Sequence, residues 1–392
     1  MKILIYVWSL SNGGAERVAS LWAQGFISKG DSVSVMLGSF RSRTDYNLPQ
    51  CIKIIRQSEV YNIWQRILPF NIRKSFFSSQ FCDLIYNILP NFVKNWFTSR
   101  VLKKEKPNVV IVVLPGLFDR VRGALDLCKC KVPVIVTDHN AFERPEYAPF
   151  TSQKYSEKFI VSKDYDYLTV LTEADRRVLA EKMDASFMKK VYVLPNPLTF
   201  EPQEKVPAKE KFILAAGRLE IWHCKGFDLL LKAWAKICDT YPSWTLKIAG
   251  GGDKSILLKM CDELGITKRV DFLGFVDLKK QYEKAEIFVL SSRYEGFGMV
   301  LTEAMSQGCA CIACDYRGRQ REIITDDSQG VICPIDDENA IAEALGKVIS
   351  DDDYRHALQK NAIERSKYYE LPNIMQHWNE IFKRLNIDKN SV

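Results

Sequence analysis

Glu295 and Glu303 are the residues whose type and spacing point most directly to chemistry. They flank Gly296-Phe297-Gly298, which follows the apolar run Ile287 to Leu290 and leads into an apolar-periodic segment. The run reads as a buried strand and the segment as a helix, so the two carboxylates bracket a strand-to-helix turn. In an open α/β sheet, ligands lie beyond the carboxyl ends of the strands. A helix N-terminus there offers unpaired N–H groups to an anion, and carboxylates accept hydrogen bonds from hydroxyls. The combination suits a ligand carrying both phosphates and sugar or ribose hydroxyls.

Two glycine turns fit the same ligand. The first, Asn12-Gly13-Gly14-Ala15-Glu16-Arg17, follows the strand-like Lys2–Val7 and lets a backbone approach a bulky anion. It lacks the G-x-G-x-x-G spacing and the later acidic residue of a dinucleotide site, and it is not a Walker A loop. The second runs from Gly217-Arg218 to Lys225-Gly226. Arg218 ends a strand and Lys225 precedes a helix, so both can face the crevice, one with a planar fork and one with a mobile point charge. Read alone, they are equally a pair of surface charges. His139, in Thr137-Asp138-His139-Asn140 at a strand end, reads by residue type alone as a structural hydrogen-bonder.

The elements that must position these residues alternate. Lys2–Val7, Ser32–Leu37, Val109–Leu114, Val132–Thr137, Tyr167–Leu171 and Val191–Leu194 read as strands, with helices near 15–29, 61–105 and 173–182. Residues 199–210 are polar and proline-bearing, as an interdomain linker should be. The pattern then restarts with strands at Phe212–Ala216, Thr245–Ala249 and Val270–Phe272, and helices at 226–240, 255–264 and 340–385. Such alternation predicts parallel sheets with crossovers, and 392 residues suit two domains.

With 47% hydrophobic and 26% charged residues, the composition is that of an ordinary globular chain. No apolar run reaches the roughly 18 residues of a spanning helix. The opening Met1–Val7 reads as a first strand rather than a signal peptide. The eleven cysteines are expected to be reduced thiols of a cytoplasmic protein. Cys309, Cys311 and Cys314 sit in an apolar run, where cysteine behaves as a small hydrophobe. Residues 53–106 hold ten Lys/Arg against three acids, a difference equal to the whole net charge of +7, together with ten aromatics. Basic plus aromatic suits a membrane surface; a solvated basic helix is the plainer alternative. No nucleic-acid motif accompanies it.

These residues add up to a resemblance. The second half resembles the retaining GT-B glycosyltransferases of family 4 through Gly217-Arg218-Leu219, Lys225-Gly226-Phe227-Asp228, Ala249-Gly250-Gly251-Gly252, Asp271-Phe272-Leu273-Gly274 and the E-x7-E pair. The first half carries the similar Gly13-Gly14-Ala15-Glu16-Arg17 turn and Asn196-Pro197. The resemblance implies an α/β GT-B fold, two Rossmann-like doubly wound domains facing a central cleft. The first domain would span 1–198, completed by a C-terminal helix at about 370–392, and the second, 199–369, would bind the nucleotide sugar.

The resemblance also implies a nucleotide-diphosphate sugar donor, retention of configuration, and no metal or other cofactor. By it, Arg218 and Lys225 bind the diphosphate, Glu303 the ribose, and Glu295 the transferred sugar, with His139 lining the sugar pocket. Gly13 and Gly14 close over the phosphates, Gly217 belongs to the donor turn, and the backbone of Gly296, Phe297, Gly298 and Met299 faces the sugar. The implied acceptor is a lipid-linked or lipopolysaccharide glycan at the inner face of the cytoplasmic membrane, and UDP is the first choice of nucleotide. A nucleotide-sugar epimerase of the same architecture and a non-catalytic sugar-nucleotide-binding protein are the alternatives. The chain departs from the family at 315–324, where Arg317, Arg319 and Arg321 leave the role of the loop open between an anionic acceptor and the donor phosphates. Asp164-Tyr165-Asp166 matches a D-x-D metal motif of another fold and reads as incidental.

Overall fold

A computed structural model describes residues 1–11, 13–38, 46, 48–56, 90–143, 145 and 165–387. The first sheet comprises β1 (Lys2–Val7), β2 (Ser32–Leu37), β3 (Lys53–Arg56), β4 (Val109–Val113), β5 (Val134–Thr137), β6 (Tyr167–Val170) and β7 (Val191–Val193). Its described helices are α1 (Gly14–Ser28), α2 (Asn91–Glu105), α3 (Phe118–Cys128), α4 (Glu173–Lys182) and α5 (Ala185–Met188). The second comprises β8 (Glu210–Ala216), β9 (Thr245–Ala249), β10 (Val270–Gly274), β11 (Ala285–Leu290), β12 (Ala310–Cys314) and β13 (Val331–Cys333). Its helices are α6 (Phe227–Ile237), α7 (Ser255–Glu263), α8 (Leu278–Lys284), α9 (Met299–Ser306), α10 (Gln320–Ile323), α11 (Glu338–Ser350) and α12 (Asp352–Ser366), and α13 (Leu371–Arg384) follows.

Both sheets are parallel throughout, with orders β3-β2-β1-β4-β5-β6-β7 and β10-β9-β8-β11-β12-β13. Counted from its own first strand, each begins 3-2-1-4-5-6, the doubly wound order. Their central strands are apolar on both faces. Every residue of β4 is buried, because helices cover a parallel sheet on both sides. The strand order reverses between β1 and β4 and again between β8 and β11. Those two switch points are where a ligand crevice must open.

The end of the chain returns to the first sheet. Trp378 of α13 is fully buried against Trp22 of α1, ring centroids 5.0 Å apart, and Phe382 lies 5.7 Å from Phe26. Burying each such ring contributes roughly 1.5–3 kcal/mol. The expected single helical stretch at 340–385 is three helices. Asp351 breaks it by capping α12, its carboxylate accepting from Tyr354 N at 2.8 Å, and Pro372 starts α13. The edge strands β3 and β13 and the helices α3 and α8 were not foreseen. The two strands have four and three residues, too few for a period to show.

Cys309, Cys311 and Cys314 lie within or beside β12 and are buried in its apolar surroundings. Burial pushes the Cys309 thiol up to about 11 and Cys314 to about 12, so they pack as neutral side chains. Most of the basic-aromatic stretch, 57–89, lies outside the described residues. Its described part includes α2, where Phe92 and Trp96 are exposed and Arg100 stands over the Trp96 ring at 5.0 Å. Among the described residues no helix is long and apolar enough to cross a membrane.

Candidate active site

The two switch points face each other. The turns after β1 and β4 and those after β8 and β11 line one cleft with two adjoining compartments of about 580 and 480 Å³. Gly14, Arg218, Met299 and Val300 border both. Gly217 and Gly13 line the smaller one, as does Glu303. His139, Lys225, Glu295, Gly296, Phe297 and Gly298 line the larger. Every residue that the resemblance assigns to the donor site therefore lines the same cleft.

Backbone geometry explains the glycines at the contact between the sheets. A Cβ on Gly296 would lie 3.0 Å from the carbonyl oxygen of His139, so only glycine lets the two loops meet this closely. Gly298 has φ +90°, a left-handed conformation that other residues adopt at a cost. It starts α9, and no side chain caps that helix. No side chain caps α1 at Gly13 either. Two helix N-termini thus border the cleft, a setting that favours an anion; at α1 the Glu16 carboxylate accepts from its own backbone N–H.

The charged groups are arranged in pairs. Lys225 Nζ donates to Glu295 Oε1 at 2.6 Å, and Ser292 Oγ donates to the same oxygen at 2.7 Å. Glu303 is more deeply buried. Its Oε1 accepts from Thr199 Oγ1 at 2.6 Å and from Arg17 Nη1 at 3.5 Å, and its Oε2 accepts from Tyr282 OH at 3.4 Å. Burial pushes this carboxyl above the usual range, and Thr199 and Arg17 pull it back. Behind the Lys225 turn, Arg293 spans both carboxylate oxygens of Asp228 at 2.7 and 2.8 Å, which fixes the start of α6 against the strand after which Glu295 follows.

His139 sits after β5 with its ring 5.3 Å from Trp22 and its Nε2 3.1 Å from Thr137 Oγ1. Enclosure pushes its pKa down to about 4, so the ring is neutral at pH 7. The Asn196 side chain lies against the ring and partly offsets the effect of burial, yet among the described residues neither the buried Nδ1 of His139 nor Oδ1 of Asn196 makes a hydrogen bond of full geometry. Buried polar groups left unpaired are uncommon and call for a cause; both belong to cleft-lining residues.

Of the three arginines in the loop, only Arg319 is buried. Arg319 is fully buried and donates to Asp175 Oδ1 at 2.6 Å, across from the second sheet to α4 beside the first. Asp175 also accepts from Thr172 Oγ1 at 2.6 Å and Phe142 N at 3.0 Å. Arg317 pairs with Glu143, and Arg321 lies 3.2 Å from Asp315 of its own loop. Arg319 is thus a structural cation of the interface, while the Arg317 and Arg321 side chains stay more than half exposed. Of the D-x-D stretch, Asp164 lies outside the described residues. Asp166 Oδ2 accepts from Val134 N at 2.8 Å, a bond that ties neighbouring strands.

Several cleft residues escaped the sequence reading. Arg17, Tyr46, Thr199 and Phe275 line the smaller compartment or hold Glu303. Phe275, 87% exposed, stands beside Gly251 at its edge. Glu16 lines the larger compartment, folded onto Gly13 so closely that a Cβ there would collide with its carboxylate. Only Arg17 and Glu16 carried a signal, as charged neighbours of the glycine turn.

Comparisons with known proteins agree with this fold. Residues 198–365 match the family Glycosyl transferases group 1. Over 388 residues the chain is 29% identical to the Campylobacter jejuni GalNAc-alpha-(1->4)-GalNAc-alpha-(1->3)-diNAcBac-PP-undecaprenol alpha-1,4-N-acetyl-D-galactosaminyltransferase, covering 96% of this chain and 97% of that one. It is 26% identical to the Erwinia amylovora amylovoran biosynthesis glycosyltransferase AmsD, covering 97% and 99%. In fold it is similar to S. aureus TarM, solved with alpha-GlcNAc-glycerol and UDP, at TM-score 0.76 and 15% identity over 97% of this chain and 99% of that one. It is likewise similar to Anabaena HepE solved with UDP-glucose, at TM-score 0.72 and 17% identity over 98% and 100%. The chain carries a glycosyl transferases group 1 domain in its second half and is a glycosyltransferase of the GT-B fold.

Proposed function

We propose that this chain is a retaining glycosyltransferase of family 4. It moves a sugar from a nucleotide-diphosphate sugar, a UDP-sugar in the first instance, to a lipid-linked or lipopolysaccharide glycan in bacterial surface polysaccharide biosynthesis. The observation that carries the reading is the convergence of two cations, Arg218 and Lys225, and two carboxylates, Glu295 and Glu303, in one cleft at both switch points. The names of the Campylobacter and Erwinia relatives support the pathway, and the UDP and UDP-glucose of the two structural neighbours support the choice of nucleotide.

In this reading the nucleoside occupies the compartment of Glu303 and Phe275, the transferred sugar that of Glu295 and His139, and the diphosphate the border between them at Gly14 and Arg218. The bond from the anomeric carbon to the diphosphate oxygen breaks, and the main obstacle is charge gathering on that oxygen. Arg218, Lys225 and the N–H groups at the start of α9 stabilise it without reorganising, which is the work a metal does in other transferases. No metal or other cofactor enters the proposal. The acceptor hydroxyl bonds to the anomeric carbon on the face the phosphate leaves, and its proton passes to the departing phosphate oxygen. Configuration is thereby retained. Closure of the two domains excludes water.

The described face of α2, with Phe92, Trp96 and Arg100, supports a peripheral place at the inner face of the cytoplasmic membrane, where a lipid-linked acceptor is found. The deciding experiment is a thermal-shift titration with UDP, GDP and ADP. A saturable rise with UDP that Arg218→Ala abolishes is expected. No rise with any nucleotide would remove the donor site from the cleft.

A further inference from the structure

The carboxylate assigned to the ribose is held from both domains. Thr199, in the linker, makes the short bond to Glu303 Oε1 at 2.6 Å, and Arg17, on α1, makes the long one at 3.5 Å. The short bond holds the carboxylate in place; the long one is the contact a ribose hydroxyl can replace. Arg17 is 38% exposed on its side chain and is not clamped. Its guanidinium lies 5.6 Å from the Tyr46 ring, and Tyr46 OH donates to Gly13 O at 2.9 Å. Tyr46 therefore ties the platform under Arg17 to the glycine turn. That turn is one helical turn away from Arg17, and its Gly14 borders both compartments.

We propose that Arg17 is the first domain's phosphate-binding cation, held on Glu303 until a nucleoside diphosphate enters and then turned onto its phosphate oxygens. The proposal rests on the donor-site reading above and deepens it. A ribose hydroxyl donating to Glu303 takes over the contact of Arg17. The freed guanidinium offers its planar fork to phosphate, the geometry for which arginine is suited. Ribose recognition on the second sheet is thereby coupled to phosphate recognition from the first, and the donor itself draws the two walls together.

The test is calorimetric titration of the full chain with UDP and, separately, with uridine, in the wild type, Arg17→Gln and Arg17→Lys. Loss of a charge-assisted phosphate contact weakens UDP by about tenfold or more in Arg17→Gln. Uridine, which has no phosphate for Arg17, binds as well as before or tighter, and Arg17→Lys recovers part of the UDP affinity. Equal loss for UDP and uridine would mean that Arg17 only braces Glu303, and no loss for either would make it a bystander; both overturn the proposal. The lysine variant keeps the helix and the charge, so it reports even where the glutamine variant misfolds. A wild-type chain that binds neither UDP nor any other nucleoside diphosphate overturns the donor-site reading itself, and this one with it.

Discussion

Glu295 and Glu303 lie eight residues apart around one turn, yet different parts of the molecule hold them. Glu295 is paired within its own domain, with Lys225 from the neighbouring turn and Ser292 three residues before it. Glu303 is paired through the linker and across the cleft, with Thr199 and Arg17. The first arrangement comes with the second domain alone. In the second, Thr199 and Tyr282 come from the same half of the chain as Glu303, and only the Arg17 contact needs both domains in place, as does the buried Arg319–Asp175 pair farther along the interface. The contrast separates chemistry built into one half of the chain from chemistry that depends on how the halves meet.

The largest effect should come from the deepest of the cross-domain pairs. Arg319→Ala leaves Asp175 buried and uncompensated, and removing one member of such a pair costs about 3–5 kcal/mol. Urea unfolding of this variant beside Arg321→Ala, whose side chain is 63% exposed, makes the comparison. Equal stability of the two would show that the interface is not held here.

Within the second domain, Lys225→Ala should lower turnover by about 10²–10³ while leaving the melting temperature near that of the wild type. A collapse of stability with turnover intact would reverse the assignment of Lys225 from chemistry to structure. The two glutamates can then be separated directly. Glu303→Gln should weaken UDP binding by about tenfold, as expected for loss of a hydrogen bond to a charged group. Glu295→Gln should chiefly lower turnover. Indistinguishable effects on UDP affinity would erase the division into ribose and sugar compartments.

The smallest effect is a pH dependence on the first-domain wall. His139 has a folded pKa of about 4 against roughly 6.5 in an unfolded chain. Between those values the unfolded chain takes up a proton that the folded one refuses. The contribution of His139 is therefore complete above pH 6.5 and is lost as the pH falls toward 4. The difference in stability between pH 7 and pH 5 should be larger for the wild type than for His139→Gln. Equal differences would mean that the ring titrates normally.

Much of the fold was legible because parallel strands buried on both faces appear as apolar runs. Val109–Val113, Ile287–Leu290 and the cysteine-bearing strand at 310–314 announce themselves without a partner. The short edge strands β3 and β13 did not, since three or four residues carry no period. In the site, Glu295, Glu303, Arg218 and Lys225 were legible because glycines and strand ends mark their turns. Thr199 and Tyr282 were not, because nothing around a threonine in a linker or a tyrosine on a short helix tells which carboxylate it will meet. The partners of Arg317 and Arg319 were hidden for the same reason: Glu143 and Asp175 are more than a hundred residues away.

The sequence by itself determined two doubly wound parallel sheets, the glycine turns at their switch points and the charged residues those turns present. All of these follow from local pattern, through the alternation of buried runs with amphipathic segments and the special conformations of glycine. Only the tertiary structure decided which charge meets which: Lys225 with Glu295, Arg17 with Glu303, Arg319 with Asp175. An ion pair has no sequence period. It depends on distances of a few ångströms between side chains, and those are set by how the turns come to rest against each other, within one sheet for Lys225 and Glu295 and between the two sheets for the others.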